Sequence, residues 1–273
     1  MPPSPLPLAE VGCRLAFDVP DRVDLALQVA VASSAGDRHE EELAVTLDGL
    51  AVDVIEVDVD GARTHVLACG AGRLTIAYRA VVEPRPADPP EVTAAERLVA
   101  LRQSRYAPSD ALTAFADAEL RELPDGAARA RAIGDWVFER LRYELGSSGP
   151  LDTAVDTLLA SRGVCRDFAH LTVALARAVE LPARLVSVYA PGLSPMDFHA
   201  VTEVVVDGRW QVIDATKLAP RQSLVRISTG RDAADTAFAT TTTGSAELLE
   251  AEVMAVVHGD LPADEHQQVV FLP

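Results

Sequence analysis

Three residues in this sequence have the types and the order that nucleophilic acyl transfer requires: Cys165, His199 and Asp214. In such a set a thiolate attacks a carbonyl carbon, and an imidazole takes the thiol proton and later returns it to the leaving group. A carboxylate orients the imidazole and stabilises its positive form. The chemistry would be the formation and breakdown of a thioester at Cys165. Whether the three side chains can meet depends on the elements that hold them.

The cysteine is predicted to lie in the first turn of a helix. From Cys165 to Glu180 apolar residues recur at helical spacing, and Leu181-Pro182 ends the run. Unpaired backbone N–H groups and the positive end of the helix dipole favour a thiolate at this position. The same N–H groups can donate hydrogen bonds to an oxyanion.

The histidine and the aspartate are predicted to lie on one β-hairpin. Two apolar runs flank Asp207-Gly208, a strong signal for a two-residue turn. Pairing outward from this turn puts Asp214 opposite Val201 and diagonal to His199. The two side chains then share a face, with Cα atoms roughly 7–8 Å apart. A slip of one residue would send one of them to the other face, so the turn is a condition of the prediction.

A structural role and a metal site are the alternatives for these residues. Cysteine is among the most buried residue types, so a lone helical cysteine is more often part of a core than a nucleophile. The histidine and aspartate of the hairpin favour the nucleophile here. His170 has no second ligand pair with zinc spacing around it. We therefore expect no metal and no cofactor, and interpret His170 as a hydrogen-bonded helix residue near the site.

Several segments together resemble the bacterial transglutaminase-like family of the papain-like superfamily. The resemblance covers roughly residues 92 to 244. It implies that Cys165 is the nucleophile, His199 the general base and Asp214 its partner. It also implies an α+β fold in which a β-rich leader precedes a helix plus antiparallel sheet domain. The segments that carry it are Arg162-Gly163-Val164-Cys165-Arg166-Asp167-Phe168-Ala169-His170-Leu171 and the ranges 104–110, 181–184, 197–200, 210–216 and 230–238.

The resemblance implies a type of chemistry but does not identify a substrate. The family includes cross-linking enzymes, amide hydrolases, peptidases and inactive scaffolds. We expect a thiol-dependent hydrolase of the cysteine peptidase or amidase type, acting on a peptide or amide. The alternatives are a protein-glutamine transamidase and a non-catalytic binding scaffold. Val201 stands where many relatives carry an aromatic residue, and its smaller side chain is expected to leave an acyl-enzyme more open to water. No Gln stands just upstream of Cys165 to serve as a second oxyanion donor.

Four further polar residues are possible neighbours of the site, and each is expected to be structural. Asp167 is interpreted as an acidic first-turn residue and Tyr189 as a strand aromatic. Glu203 is interpreted as a carboxylate at the rim, and Asp235 as a loop anchor.

Composition and charge narrow the class of protein. The chain has 273 residues, of which 49% are hydrophobic, and a formal net charge of −17. This charge argues against binding to nucleic acid or to an anionic membrane, because phosphates would be repelled. Cys13, Cys69 and Cys165 form neither a disulfide framework nor a zinc pattern. The first eight residues have no basic region and no apolar run of signal-peptide length, so we expect a cytoplasmic protein.

The pattern along the chain predicts two domains, at 1–90 and 91–273. Short alternating runs between residues 11 and 82 predict an antiparallel β-sandwich, and the proline-rich stretch 83–90 predicts an extended linker. The helices expected after it are 110–123, 125–145, 151–160 and 165–180, and the strands are 184–189, 199–206, 209–214 and an edge strand at 269–272. Thr240-Thr241-Thr242-Thr243 is expected to be a loop.

Overall fold

A computed structural model describes residues 7–85, 90–123 and 126–273 of the chain. Its strands are β1 (Ala9–Val19), β2 (Val23–Leu27), β3 (Gly36–Leu47), β4 (Leu50–Ala51), β5 (Ile55–Val59), β6 (Ala62–Cys69), β7 (Gly72–Pro84), β8 (Arg142–Tyr143), β9 (Arg162–Gly163), β10 (Ala183–Tyr189), β11 (Phe198–Val206), β12 (Arg209–Ile213), β13 (Val225–Gly230), β14 (Ala239–Thr243) and β15 (Glu247–Val257). Its helices are α1 (Ala94–Ala100), α2 (Ser109–Glu119), α3 (Ala127–Arg140), α4 (Ala154–Ala160), α5 (Cys165–Ala178) and α6 (Ala233–Thr236), with a 3-10 turn at Arg221–Ser223.

Two antiparallel sheets form the predicted β-sandwich. One sheet has the strand order β15-β1-β7-β3-β4, and the other has the order β14-β2-β6-β5. Alternate residues along the strands point inward, so that Leu15, Leu25 and Ile76 are almost completely buried between the sheets. The α+β fold class expected from the sequence is confirmed, with the sandwich built from strands of alternating pattern.

Two strands from the end of the chain complete the sandwich. The prediction of a loop at Thr240–Thr243 was wrong, because these residues belong to β14 and pair antiparallel with β2. The next strand, β15, pairs with β1 along ten residues of β1. The sandwich therefore draws strands from both predicted domains. The boundary near residue 90 stays a prediction, and residues 86–89 of the expected linker lie outside the described residues.

Helices and a second antiparallel sheet form the layer that holds the candidate site. The sheet has the order β12-β11-β10-β13, and α5 packs across β11 and β10. The predicted helix 125–145 ends earlier, at Arg140, because Leu141 adopts an extended backbone and β8 follows to pair in parallel with β9. No helix within the described ranges is both long enough and apolar enough to cross a membrane.

The last apolar run of the chain packs on the sheet without becoming a strand. The edge strand predicted at 269–272 was wrong, since these residues have no strand structure. The backbone N–H of Val212 donates to the carbonyl of Val270 at 2.9 Å, and Val270 and Leu272 are buried. Apolar burial without a continuous ladder accounts for the sequence pattern.

Candidate active site

Cys165 is the first residue of α5, as the sequence predicts. Val164 before it is extended, and its backbone N–H donates to the Asp167 carboxylate at 2.8 Å. Gly163 permits this turn, because a Cβ atom there would lie 2.5 Å from the Cβ of Asp167. The thiol is partly exposed, whereas the other two cysteines are buried. The helix therefore presents Cys165 at its N-terminal end with access to solvent.

The turn at Asp207-Gly208 fixes the register of the hairpin. Both residues have positive φ, 49° and 77°, as a type I′ turn requires. The pairs from Val206↔Arg209 to Thr202↔Ile213 match the predicted register. Continued past the ladder, this register brings the His199 Nε2 within 3.0 Å of the Asp214 Oδ2, with both side chains buried.

Thr216 holds the second oxygen of Asp214. Its backbone N–H and its hydroxyl donate to the Asp214 Oδ1 at 2.8 Å and 2.7 Å. The carboxylate thus has partners on both oxygens and cannot rotate away from the imidazole. The sequence analysis missed this role, although an aspartate side chain commonly accepts a hydrogen bond from the backbone N–H two residues later.

The buried charges of the hairpin reinforce each other. Burial acts to lower the pKa of His199, but the Asp214 carboxylate and the Cys165 side chain outweigh it and raise this pKa to about 10. Burial acts to raise the pKa of Asp214, but His199 and Thr216 hold it below its usual range. The Nε2 of His199 is bound to Asp214, and its buried Nδ1 has no oxygen or nitrogen partner among the described residues. The Nδ1 is therefore available to the sulfur of Cys165. An imidazolium beside a thiol is the arrangement that favours a thiolate.

Tyr143 stands beside the backbone of Cys165. It belongs to β8, lies opposite Gly163 in the parallel pair with β9, and its ring centroid is 5.9 Å from that of Phe168. Burial and the nearby Cys165, Asp197 and Asp214 raise the pKa of the phenol to about 12, while the nearby backbone N–H of Cys165 opposes this rise. The phenol is therefore neutral at physiological pH and next to the helix start. The two-residue strand that places it has too weak a sequence pattern to predict.

His170 is a buried helix residue near the site, as the sequence analysis proposed. Its Nε2 accepts a hydrogen bond from the backbone N–H of Ala233 at 3.1 Å, and its ring stacks on Tyr106 at 5.4 Å. Burial lowers the pKa of His170 to about 4. The ring stays neutral at physiological pH and keeps this acceptor, which fixes the start of α6.

The four other polar candidates all have structural partners. Asp167 is fully buried and caps α5, and the Tyr189 hydroxyl donates to the carbonyl of Val29 at 2.7 Å. Asp235 lies in the short helix α6 and accepts hydrogen bonds from the backbone and side chain of Arg231, which precedes that helix.

Glu203 is not a carboxylate at the rim, and that prediction was wrong. It is fully buried and accepts from Arg184 and Arg226 at 2.7 Å and 2.6 Å. Both faces of β11 are covered in this part of the strand, since Val201–Val206 are all buried. The two arginines hold the pKa of Glu203 to about 2 in spite of its burial.

Val201 does not border the site. It is 1% exposed and packs in an apolar cluster with Val186 and Val212. The expected opening of the acyl-enzyme by a small residue here therefore has no structural basis. The two remaining cysteines, Cys13 and Cys69, have pKa values raised by burial, to about 11 for Cys13.

A cleft of about 710 Å³ contains the thiol and the imidazole. It lies where α5, β11, α6 and β14 meet. The residues that line it include Arg105, Tyr106, Cys165, Arg166, Phe198, His199, Phe238, Ala239, Thr240 and Thr241. A thiol, an imidazole and a cleft of ligand size therefore coincide in one place.

A family model matches the part of the chain that carries this site. Residues 113–215 match the model of the Transglutaminase-like superfamily. That range includes all three residues Cys165, His199 and Asp214. The resemblance recognised in the sequence is confirmed for residues 113–215, which match this family model.

One solved structure and one curated protein are similar to this chain. The crystal structure of a candidate cysteine protease from Cytophaga hutchinsonii superposes with a TM-score of 0.87 and 29% identity, covering 97% of this chain and 96% of that one. An uncharacterized protein of Mycobacterium leprae is 28% identical over 149 residues, which is 50% of this chain and 52% of the relative. The chain thus matches about half the length of that curated relative. The family match and the likeness to the candidate cysteine protease support a thiol-dependent enzyme.

A more distant structure matches with a lower TM-score. The periplasmic domain of TgpA from Pseudomonas aeruginosa has a TM-score of 0.41 and 19% identity, covering 79% of this chain and 91% of that one.

Proposed function

We propose that this protein is a thiol-dependent hydrolase of the cysteine peptidase or amidase type. The observation that carries the proposal is the buried His199–Asp214 pair, 3.0 Å apart, in the cleft that contains the helix-start thiol of Cys165. The likeness over almost the whole chain to a candidate cysteine protease supports the same reaction. Its substrate class is a peptide or amide.

The proposed mechanism proceeds through a thioester. The proton of the Cys165 thiol is held by His199 as the imidazolium, and the resulting thiolate adds to the carbonyl carbon of the substrate. The tetrahedral oxyanion accepts hydrogen bonds from the Cys165 backbone N–H and from the Tyr143 hydroxyl. His199 then protonates the leaving amine, and the thioester forms. Water attacks the thioester with His199 as base and releases the acid, while Asp214 keeps the imidazole oriented in both steps.

Tyr143→Phe tests the proposed second oxyanion donor. Loss of one such donor is expected to lower kcat by roughly 10²-fold. Alkylation of Cys165 by iodoacetamide forms no oxyanion, so its rate should stay close to that of the wild type. Tyr106→Phe is the matched control, since Tyr106 lines the cleft that contains Cys165 but stacks on His170. Equal losses of hydrolysis and of alkylation in Tyr143→Phe would assign the residue to support of the thiol instead.

Transamidation is the second candidate, because an amine can replace water at the same thioester. Hydrolysis is favoured here because Cys165 is partly exposed in its cleft. The partition can be measured by acylating the enzyme with p-nitrophenyl acetate in the presence of millimolar cadaverine. We expect mainly free acetate, with the acetyl group passing through Cys165. Predominant acetyl-cadaverine would make the protein a transamidase, and the absence of any acyl-enzyme would make it a scaffold.

A further inference from the structure

An edge of the β-sandwich borders the proposed catalytic cleft. Within the described residues β14 is the outermost strand of its sheet, with β2 on one side and no strand on the other. Three consecutive residues, Ala239, Thr240 and Thr241, line the cleft that contains Cys165. Consecutive side chains of a strand point to opposite faces, so a cavity in contact with all three runs along the edge of the strand.

The register of β14 shows which of its backbone groups are free. The backbone N–H of Gln28 donates to the carbonyl of Phe238 at 3.0 Å, and Ala239 pairs with Leu27 in the same register. Bonded and non-bonded positions alternate in an antiparallel ladder. Thr240 is therefore bonded to β2, whereas the N–H and carbonyl groups of Ala239 and Thr241 point away from β2.

The segment that leads into β14 is anchored beside the catalytic helix. The N–H of Ala233 donates to His170 of α5, and Asp232 accepts from the backbone N–H groups of Tyr106 and Ala234. Phe238 stacks on Phe198, the neighbour of His199, with ring centroids 5.2 Å apart. The free edge thus has a fixed position relative to the imidazole.

We propose that this edge binds the acyl donor as an added β-strand, so that the substrate is an extended peptide held by its backbone. Ala239 and Thr241 supply the N–H and carbonyl groups that pair with alternate residues of the peptide. The scissile carbonyl lies beyond this paired segment, at Cys165. The binding mode rests on the proposed function, because it deepens the substrate class of the same site.

One pair of variants distinguishes the contribution of the Thr241 backbone N–H to substrate binding from that of the Thr241 side chain. Thr241→Pro removes an N–H that points away from β2, and proline is tolerated at such edge positions. Thr241→Ala keeps the N–H and is the matched control. With a mixed pool of N-acetylated hexapeptide p-nitroanilides, we expect Thr241→Pro to lower kcat/KM about tenfold and Thr241→Ala to lower it less than about twofold. Turnover of p-nitrophenyl acetate, which is too short to reach β14, should stay within about twofold in both variants.

A second measurement uses the wild-type enzyme and does not depend on the folding of a variant. One hexapeptide that is hydrolysed is methylated at one backbone nitrogen at a time. An added strand directs every second N–H toward β14, so damaging and tolerated methylations should alternate along the peptide. Uniform tolerance, uniform loss, or unchanged hydrolysis by Thr241→Pro would overturn the proposal. Failure of every hexapeptide in the pool to react, while p-nitrophenyl acetate does react, would also overturn the proposal. Failure of p-nitrophenyl acetate to acylate Cys165 would instead overturn the proposed function.

Discussion

Cys165→Ala is expected to abolish hydrolysis of acyl substrates while leaving the protein folded. The reason is that alanine cannot form the thioester through which both half-reactions pass. Cys165 is partly exposed at a helix start, so removal of its sulfur creates no buried cavity. Release of p-nitrophenol from p-nitrophenyl acetate should fall to the level of the buffer. Circular dichroism and thermal unfolding should be close to those of the wild type.

Cys69→Ala is the matched control for this experiment. Cys69 is a buried thiol of the sandwich in β6, with a pKa raised by burial, and it has no place in the proposed mechanism. This variant should retain the wild-type rate. Substantial hydrolysis by Cys165→Ala, in a sample free of contaminating esterase, would show that another group attacks the substrate.

Asp214→Asn is expected to lower kcat by roughly 10³–10⁴-fold with the fold intact. An amide can hold the imidazole in the wrong tautomer and cannot stabilise its positive form. The Thr216 hydroxyl, which donates to Asp214, can still donate to an amide oxygen. Thr216→Ser, which keeps this hydroxyl, provides a control and should retain most activity. A loss of less than about tenfold in Asp214→Asn would remove Asp214 from the proposed mechanism.

The same variant should change how stability depends on pH. His199 has a folded-state pKa near 10, above the ordinary value of 6.5, so its contribution is full below 6.5 and is lost as the pH rises toward 10. The contribution of Asp214 has the opposite sense, because the pKa of its carboxyl group is lowered in the folded state. This contribution stabilises the fold above about pH 3.8 and is lost in stronger acid. The melting temperature of the wild type should therefore exceed that of Asp214→Asn most between about pH 4 and 6.5. A difference that stays constant up to pH 10 would contradict this coupling.

Local sequence signals predicted the parts of the candidate site that depend on short-range geometry. Asp207-Gly208 forces a two-residue turn, and the turn alone determines which residues face each other across the hairpin. The start of α5 was likewise predictable, because the apolar stripe begins just after Cys165 and Leu181-Pro182 follows its end. These two elements bring the thiol and the imidazole to one cleft.

The features that the sequence did not predict depend on distant pairings. The sequence of β14 is a polar run of threonines. It forms a strand only because it pairs with the edge of β2, more than 200 residues earlier in the chain. Glu203 has the composition of a surface residue, and its burial is possible only because two arginines from other strands neutralise it. Tyr143 gains its position from a two-residue parallel pair across an intervening helix. Each case needs contacts that no local window contains.

The most direct test of the central claim is the site at which the protein reacts with limiting iodoacetamide near neutral pH. Peptide mapping by mass spectrometry measures the modified fraction of each of the three cysteines. The imidazolium of His199 beside a partly exposed thiol predicts that Cys165 is modified first, with Cys13 and Cys69 unmodified until the protein unfolds. Faster modification of Cys13 or Cys69 in the folded protein would contradict the assignment of Cys165 as the nucleophile.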